Sequence, residues 1–170
     1  KTSGSEVKED VHAEPGVSAA GCVDVRRGPI GDIAVADGAI VVANYGDDSI
    51  AVLNAATLAV ESIIAVPGEP VAVAVADDRA YVSTSSWTHD EVAVVDLTAK
   101  SVIATYDLAF SVTALTVSPD GKRVFAGRTG DGDADVAVIE VPAERMGTIE
   151  IATGAGIGID AVEVDAAGKR

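Results

Sequence analysis

The segment Ile50-Ala51-Val52-Leu53-Asn54 decides the fold, because close copies of it recur at regular intervals. It returns as Val92-Ala93-Val94-Val95-Asp96 and then as Val136-Ala137-Val138-Ile139-Glu140, at spacings of 42 and 44 residues. Each copy follows an apolar run and a polar loop, and it precedes a turn and a second apolar run. A period in the forties built from short alternating strands is typical of a β-propeller or another repeat array. We therefore predict an all-β chain in which each repeat forms one four-stranded blade.

The repeats divide the chain into a tail and a partial propeller. Residues 1–21 have no hydrophobic periodicity, which is typical of a flexible tail or linker. Residues 22–170 have the strand pattern of an incomplete propeller. The predicted blades span 30–66, 67–108 and 109–151, and the next blade begins within 152–170. Because the last strand pattern has no return strand, we expect a piece of a longer propeller.

A second interpretation of the Val- and Ala-rich segments remains open. Segments such as 53–66 could be helices that cross between parallel strands. The density of β-branched residues and the Asp37-Gly38 pair at hairpin spacing favour strands instead. The glycine-rich run at 154–158 precedes a strand, whereas a phosphate-binding fingerprint follows one.

The composition excludes several classes of partner. The net charge is −15 and the pI is about 4.2. No basic stripe exists that could displace phosphate counterions, so nucleic acid is not an expected partner. The acidity also opposes binding to anionic lipid surfaces. No apolar run reaches the ~18 residues that a membrane-spanning helix needs. The single cysteine, Cys22, excludes an intrachain disulfide.

Short motifs within the repeats resemble the YVTN-family β-propeller repeat. They are Tyr81-Val82-Ser83-Thr84, the segment 92–98, and the run Ser-Pro-Asp-Gly-Lys-Arg-Val-Phe at 118–125, and the resemblance covers about residues 29–170. It implies a bacterial or archaeal protein that is exported or surface-bound, hence an extracytoplasmic location. It also implies a non-catalytic binding scaffold that presents a loop rim to a protein, a glycan, a cell-envelope partner or the remaining blades. The alternative is a fragment of a lactonase- or lyase-type enzyme whose metal ligands are spread over several blades.

The spacing of the repeats predicts which loops form that rim. Tyr45, Trp87 and Asp131 each lie five residues before the first apolar residue of a third strand. We expect them at equivalent positions on adjacent blades, since rigid strands hold variable loops in propellers. Exposed Tyr, Trp and Arg side chains are common binding anchors. The full set of predicted rim residues is Tyr45, Asp47, Asp48, Trp87, His89, Asp90, Arg128 and Asp131.

Metal binding and catalysis have little support in the sequence. Asp131, Asp133 and Asp135 alternate like the start of a calcium loop, and they are a weak calcium candidate. The EF-hand pattern then fails, because Val136 occupies the position that requires Gly. No nucleophile, base and orienting group are spaced as a recognisable triad. We therefore predict no catalytic residues and no cofactor apart from that weak calcium site.

Overall fold

The computed structural model describes residues 28–36, 38–87, 90–108 and 111–165, and within them the chain forms three four-stranded antiparallel sheets. Blade 1 contains β1 (Ile30–Ala36), β2 (Ala39–Asn44), β3 (Ser49–Asn54) and β4 (Val60–Ala65). Blade 2 contains β5 (Glu69–Ala76), β6 (Arg79–Ser85), β7 (Asp90–Asp96) and β8 (Ser101–Leu108). Blade 3 contains β9 (Ser111–Val117), β10 (Arg123–Thr129), β11 (Asp133–Glu140) and β12 (Arg145–Thr153).

In every blade the strands lie in sequence order, so each strand pairs with its neighbour in the chain. The copies of the repeated segment are β3, β7 and β11, the third strand of each sheet. In β3 and β7 the Val, Ile, Leu and Ala side chains are buried, whereas Val136 and Val138 of β11 are only half-buried. No α-helix occurs among the described residues, and the helical interpretation of 53–66 is therefore wrong.

The blades stack through their apolar faces. Val41, Ile50 and Val52 of blade 1 pack with Val73 and Val82 of blade 2 in one buried cluster. The opposite face of blade 2 forms a second cluster with blade 3; its members include Tyr81, Val92, Val94, Val124, Ala137 and Ile139. Each buried Val or Ile side chain contributes about 1.5–3 kcal/mol. Blade stacking is therefore the main source of stability in this arc.

The first strands of the blades converge on a common axis. β1 contacts β5 extensively and β5 contacts β9, whereas β4 and β8 barely touch. Sheets that approach at their inner strands and separate at their outer strands form the wedges of a propeller. Beyond blade 3, Ile159 and Val162 pack against Gly127 of β10, where the first strand of a next blade is expected. The architecture is thus an incomplete β-propeller, as the repeats predicted.

The residues of the repeat motif hold the blades together. The Tyr81 hydroxyl of blade 2 donates to the Gly121 carbonyl oxygen of blade 3 over 3.0 Å. Gly121 lies in the turn between β9 and β10 and has φ +65°, a conformation that favours glycine. The Ser118 backbone N–H also pairs with the Arg123 carbonyl oxygen across this turn at 2.8 Å. Tyrosine and the Ser-Pro-Asp-Gly turn therefore form a contact between neighbouring blades.

Blade 3 ends with β12, which covers Arg145–Thr153, whereas the predicted blade ends at residue 151. Apolar residues are sparse at its beginning, and the strand is defined there by pairing with β11. The predicted tail at 1–21 and the predicted beginning of the propeller at 22–27 lie outside the described residues.

Candidate functional site: the rim between blades 1 and 2

The loops between second and third strands share one end of the arc with the segments that join the blades. The Tyr45 N–H donates to the Pro29 carbonyl oxygen at 2.9 Å, and the Val66 N–H donates to the Asp48 carbonyl oxygen at 2.8 Å. In blade 3 the Gly154 N–H makes a corresponding bond of 2.7 Å to the Gly132 carbonyl oxygen. These backbone bonds build the rim, because each fixes a loop to the segment that enters or leaves its blade.

A groove of about 660 Å³ opens on this rim between blades 1 and 2. One wall belongs to the loop after β2, the other to the loop after β6, and the segment joining β4 to β5 forms the floor. Gly68 allows the floor to lie close to β6, since a Cβ atom there would stand 2.7 Å from the Ser85 carbonyl oxygen. The lining residues are Asp48, Val66, Pro67, Gly68, Glu69, Ser85, Ser86 and Trp87.

One aromatic side chain lines the groove, and a second lies next to one of its lining residues. The Trp87 side chain lines it and is fully exposed to solvent, and Tyr45 is 40% exposed. The neighbouring Glu69 carboxylate raises the pKa of Tyr45, because it can accept a hydrogen bond from the phenol and carries a negative charge. Tyr45 therefore lies beside one of the carboxylates that line the groove.

The charged side chains that the structure describes in the groove lining are both acidic. They are Asp48 and Glu69, which are exposed, and no Lys, Arg or His occurs among the described lining residues. Asp48 adopts φ +47° at the end of the short 3-10 turn Tyr45–Asp47, a conformation that Asp tolerates better than most side chains. The turn thereby places this carboxylate at the mouth of the groove. The groove can accept a cationic or polar group beside an aromatic surface.

Other predicted rim residues have structural roles or lie apart from the groove. Asp47 accepts a hydrogen bond of 3.1 Å from the Ser49 hydroxyl and stabilises its own loop. Asp90 is half-buried at the start of β7, and Asp131 is exposed in the loop of blade 3. His89 lies outside the described residues.

Arg128 does not belong to the exposed rim, and this prediction was wrong. It lies in β10 with 7% exposure, and it pairs with Asp135 of β11, which is 8% exposed. Its Nε and Nη2 atoms bond the two carboxylate oxygens at 2.6 and 2.8 Å, and Nη2 also bonds the Thr148 hydroxyl at 3.2 Å. A bidentate arginine–carboxylate pair under the loop is part of the blade.

The weak calcium site at Asp131, Asp133 and Asp135 is also corrected. Both oxygens of Asp135 bond Arg128, so that carboxylate already has a cationic partner. Within the described ranges, no three His, Cys, Asp or Glu side chains are grouped to hold a metal ion. Along this loop and strand, Asp131 and Asp133 face solvent while Asp135 turns inward.

The rim residues predicted from the sequence do not include the floor of the groove at 66–68, nor Ser85 and Ser86 beside it. The available signal was Pro67-Gly68 directly after a strand, since a glycine there allows close approach of two backbones. The proximity of Tyr45 to Glu69 had no sequence signal, because the two residues are 24 positions apart on different blades.

The fold and the rim define the class of this chain as the β-propeller proteins. It is 42% identical over 123 residues to "Seven-bladed beta-propeller protein Rv1057" of Mycobacterium tuberculosis (strain ATCC 25618 / H37Rv), covering 69% of the chain and 31% of that protein. It is 56% identical over 153 residues to "Seven-bladed beta-propeller protein" of Mycolicibacterium smegmatis (strain ATCC 700084 / mc(2)155), covering 89% of the chain and 42% of that protein. The chain thus spans less than half the length of these relatives.

The comparison with solved structures agrees on the fold. "Kuenenia stuttgartiensis Hydrazine Synthase" superposes with a TM-score of 0.75 at 23% identity, over 91% of this chain and 44% of that one. At this identity the likeness concerns architecture alone. No family model matches the sequence. Among the described residues, no helix is both long enough and apolar enough to cross a membrane.

Proposed function

We propose that this chain is part of an exported propeller of the YVTN-repeat type, and that its rim binds a macromolecular partner without catalysing a reaction. The observation that carries the proposal is the groove between blades 1 and 2. Trp87 lines this groove and Tyr45 lies beside its lining residue Glu69, on the equivalent loop of the adjacent blade, and both side chains are exposed to solvent. Fully exposed tryptophan is uncommon, and Trp and Tyr are among the most frequent anchors of protein interfaces.

The construction of the rim supports binding. Backbone hydrogen bonds fix the loop of blade 1 at both ends, so that Tyr45 and Asp48 are presented on a rigid support. A preorganised surface loses little conformational entropy when a partner binds. The Tyr45 hydroxyl is protonated near neutral pH, as ordinary phenols are, so it can donate a hydrogen bond to a partner.

We further propose that the complete ring has seven blades and functions outside the cytoplasm. Two relatives that are more than 40% identical are named as seven-bladed propellers, and their names state no activity. The open face of blade 3, where Ile149 and Ile151 are half-exposed, fits a further blade in such a ring. The location follows from the YVTN resemblance.

Saturation binding to cell envelopes tests the proposed function. The labelled chain is titrated with envelope fractions of Mycolicibacterium smegmatis, the source of one relative, and compared with Tyr45→Ala/Trp87→Ala. Loss of two aromatic anchors is expected to weaken binding at least about tenfold. Prior treatment of the envelopes with protease or periodate separates a protein partner from a glycan.

The matched control is Val60→Ala/Met146→Ala, which removes two exposed apolar side chains at the opposite end of the blades. This control is expected to bind like the unmodified chain. Equal binding by the rim variant, or an equal loss in both double variants, would contradict the proposal.

A further inference from the structure

We propose that the groove between blades 1 and 2 receives a lysine or arginine side chain from a basic segment of a protein partner. This inference rests on the proposed binding function of the rim and specifies the chemistry that the rim recognises. It follows from the charge of the groove, the position of its aromatic rings and its openness to solvent.

The charge of the groove selects a cation. Asp48 and Glu69 line it, its described lining residues include no basic side chain, and the whole chain carries a net charge of −15. A concave surface lined by one sign of charge concentrates field lines and attracts groups of the opposite sign. An anionic segment would meet repulsion from both carboxylates. Charge complementarity therefore favours a basic partner.

The aromatic surface suits the shape of lysine and arginine. A cation over the face of an indole is attracted by the ring quadrupole, and tryptophan is the best aromatic residue for this contact. The aliphatic stem of a long basic side chain can cover apolar surface while its charged end reaches a carboxylate. Pro67 on the floor and Trp87 on the wall provide apolar surface, and Glu69 provides the carboxylate.

The openness of the groove favours a side chain of a larger partner over a free amine. Sites for small molecules enclose most of the ligand surface. Here the Trp87 side chain is fully exposed, so the groove can cover only part of a ligand. A side chain that belongs to a protein gains its remaining contacts along the rim, next to Tyr45 and the neighbouring loops.

Tryptophan fluorescence tests the inference on the unmodified chain, because Trp87 is its single tryptophan. The probes are short neutral peptides with one central lysine, arginine or Nε-acetyl-lysine. The lysine and arginine peptides are expected to change the emission of Trp87 saturably. The acetyl-lysine peptide has the same shape without the charge, and we expect it to bind at least about threefold more weakly.

Glu69→Gln and Asp48→Asn remove the charges with little change of shape. Each is expected to weaken binding of the lysine peptide about two- to fivefold, and the double variant about tenfold. Asp78→Asn is the matched control, since it removes an equal charge in the exposed turn between β5 and β6, away from the groove. This control is expected to change the affinity by less than twofold.

Several results would overturn the inference. They are the absence of any fluorescence change, equal affinity for the lysine and acetyl-lysine peptides, or an equal loss in Asp78→Asn and Glu69→Gln. The proposed rim function fails separately, by unchanged envelope binding of Tyr45→Ala/Trp87→Ala. Suppose that Tyr45→Ala/Trp87→Ala loses envelope binding while the unmodified chain binds the lysine and acetyl-lysine peptides equally. The proposed binding function of the rim then stands, and the proposed specificity for a basic side chain is wrong.

Discussion

Blades 1 and 3 each join their second strand to their third with a buried pair of side chains, and the two pairs differ in chemistry. At the end of the second strand, Asn44 pairs with Ser49 in blade 1, and Arg128 pairs with Asp135 in blade 3. Both pairs are buried beneath a rim loop and join the second strand to the third. The Asn44 amide donates to the Ser49 hydroxyl at 3.1 Å, whereas the arginine forms a bidentate ion pair. One position thus tolerates a neutral pair or a charged one.

The two pairs differ in the buried group that remains without a partner when one member is removed. A neutral hydrogen bond contributes about 1 kcal/mol net, and a lone hydroxyl can find another partner. A buried charge without its partner costs about 3–5 kcal/mol, although the intact pair itself adds little. Blade 3 is therefore expected to be more sensitive to single substitutions at this position than blade 1.

The largest expected effect is the loss of one member of the ion pair. Arg128→Ala should lower the free energy of unfolding by about 3–5 kcal/mol, since it strands the Asp135 carboxylate at 8% exposure. Asn44→Ala should lower the free energy of unfolding by only about 1 kcal/mol. The amide oxygen of Asn44 has no hydrogen-bond partner among the described residues, so its removal loses no hydrogen bond. Urea unfolding followed by circular dichroism measures both values.

Replacing both members sharpens this comparison. Arg128→Met/Asp135→Leu removes both charges and fills similar volume, so it should recover most of the stability that Arg128→Ala loses. If the double variant is as unstable as Arg128→Ala, or if Asn44→Ala costs as much, the contrast between the blades is wrong.

A second contrast separates Gly127 of blade 3 from Ala43, its counterpart in blade 1. A Cβ atom at Gly127 would lie 2.6 Å from a methyl group of Ile159 and 2.8 Å from one of Val162. Gly127→Ala should therefore displace the segment 159–162 and cost about 1–3 kcal/mol. Faster hydrogen exchange at the Ile159 N–H, which donates to the Thr129 hydroxyl at 3.2 Å, would report the displacement.

Gly147→Ala in β12 is the control for this substitution, because a Cβ atom there meets nothing within 4 Å. It should leave the stability unchanged or raise it by up to about 1 kcal/mol. Equal effects of the two glycine substitutions would show that the contact with Ile159 and Val162 does not restrict Gly127.

The third contrast concerns contacts between blades. Tyr81 reaches blade 3 through its hydroxyl, whereas blade 1 has Val41 at the corresponding position and lacks such a donor. Tyr81→Phe should lower the free energy of unfolding by about 1 kcal/mol. Tyr106→Phe should cost less, since the Tyr106 hydroxyl lies 3.4 Å from the Val141 carbonyl oxygen. Chemical denaturation of both variants checks the order, and a larger loss for Tyr106→Phe would contradict it.

The blades were predictable because their signal is local and repeated. The repeated segments predicted the third strand of each blade, at 50–54, 92–96 and 136–140. The turn residues between the apolar runs predicted the hairpins. The roles of Arg128 and Asp135 were not predictable, since strand alternation places a residue on a face and does not state what covers that face. The groove depended on contacts between blades, as at Gly68 and Ser85, which a single repeat does not encode.

The smallest expected effect lies in the turn between β9 and β10. The Ser118 hydroxyl donates to Asp120 at 2.6 Å, and this bond, followed by the Lys122 backbone N–H at 3.2 Å, lowers the pKa of Asp120. A lowered carboxyl pKa adds stability above the ordinary value of about 3.9, and this stability is lost as the pH falls through the folded-state pKa.

The difference in unfolding midpoint between the unmodified chain and Asp120→Asn should therefore be larger at about pH 6 than at about pH 3. Ser118→Ala should bring the pKa of Asp120 back toward its ordinary value, because it removes the leading cause of the shift. An NMR titration of the Asp120 carboxyl carbon measures this directly. If Asp120 in the unmodified chain titrates at or above the ordinary carboxyl range, the turn does not favour the carboxylate and this prediction is wrong.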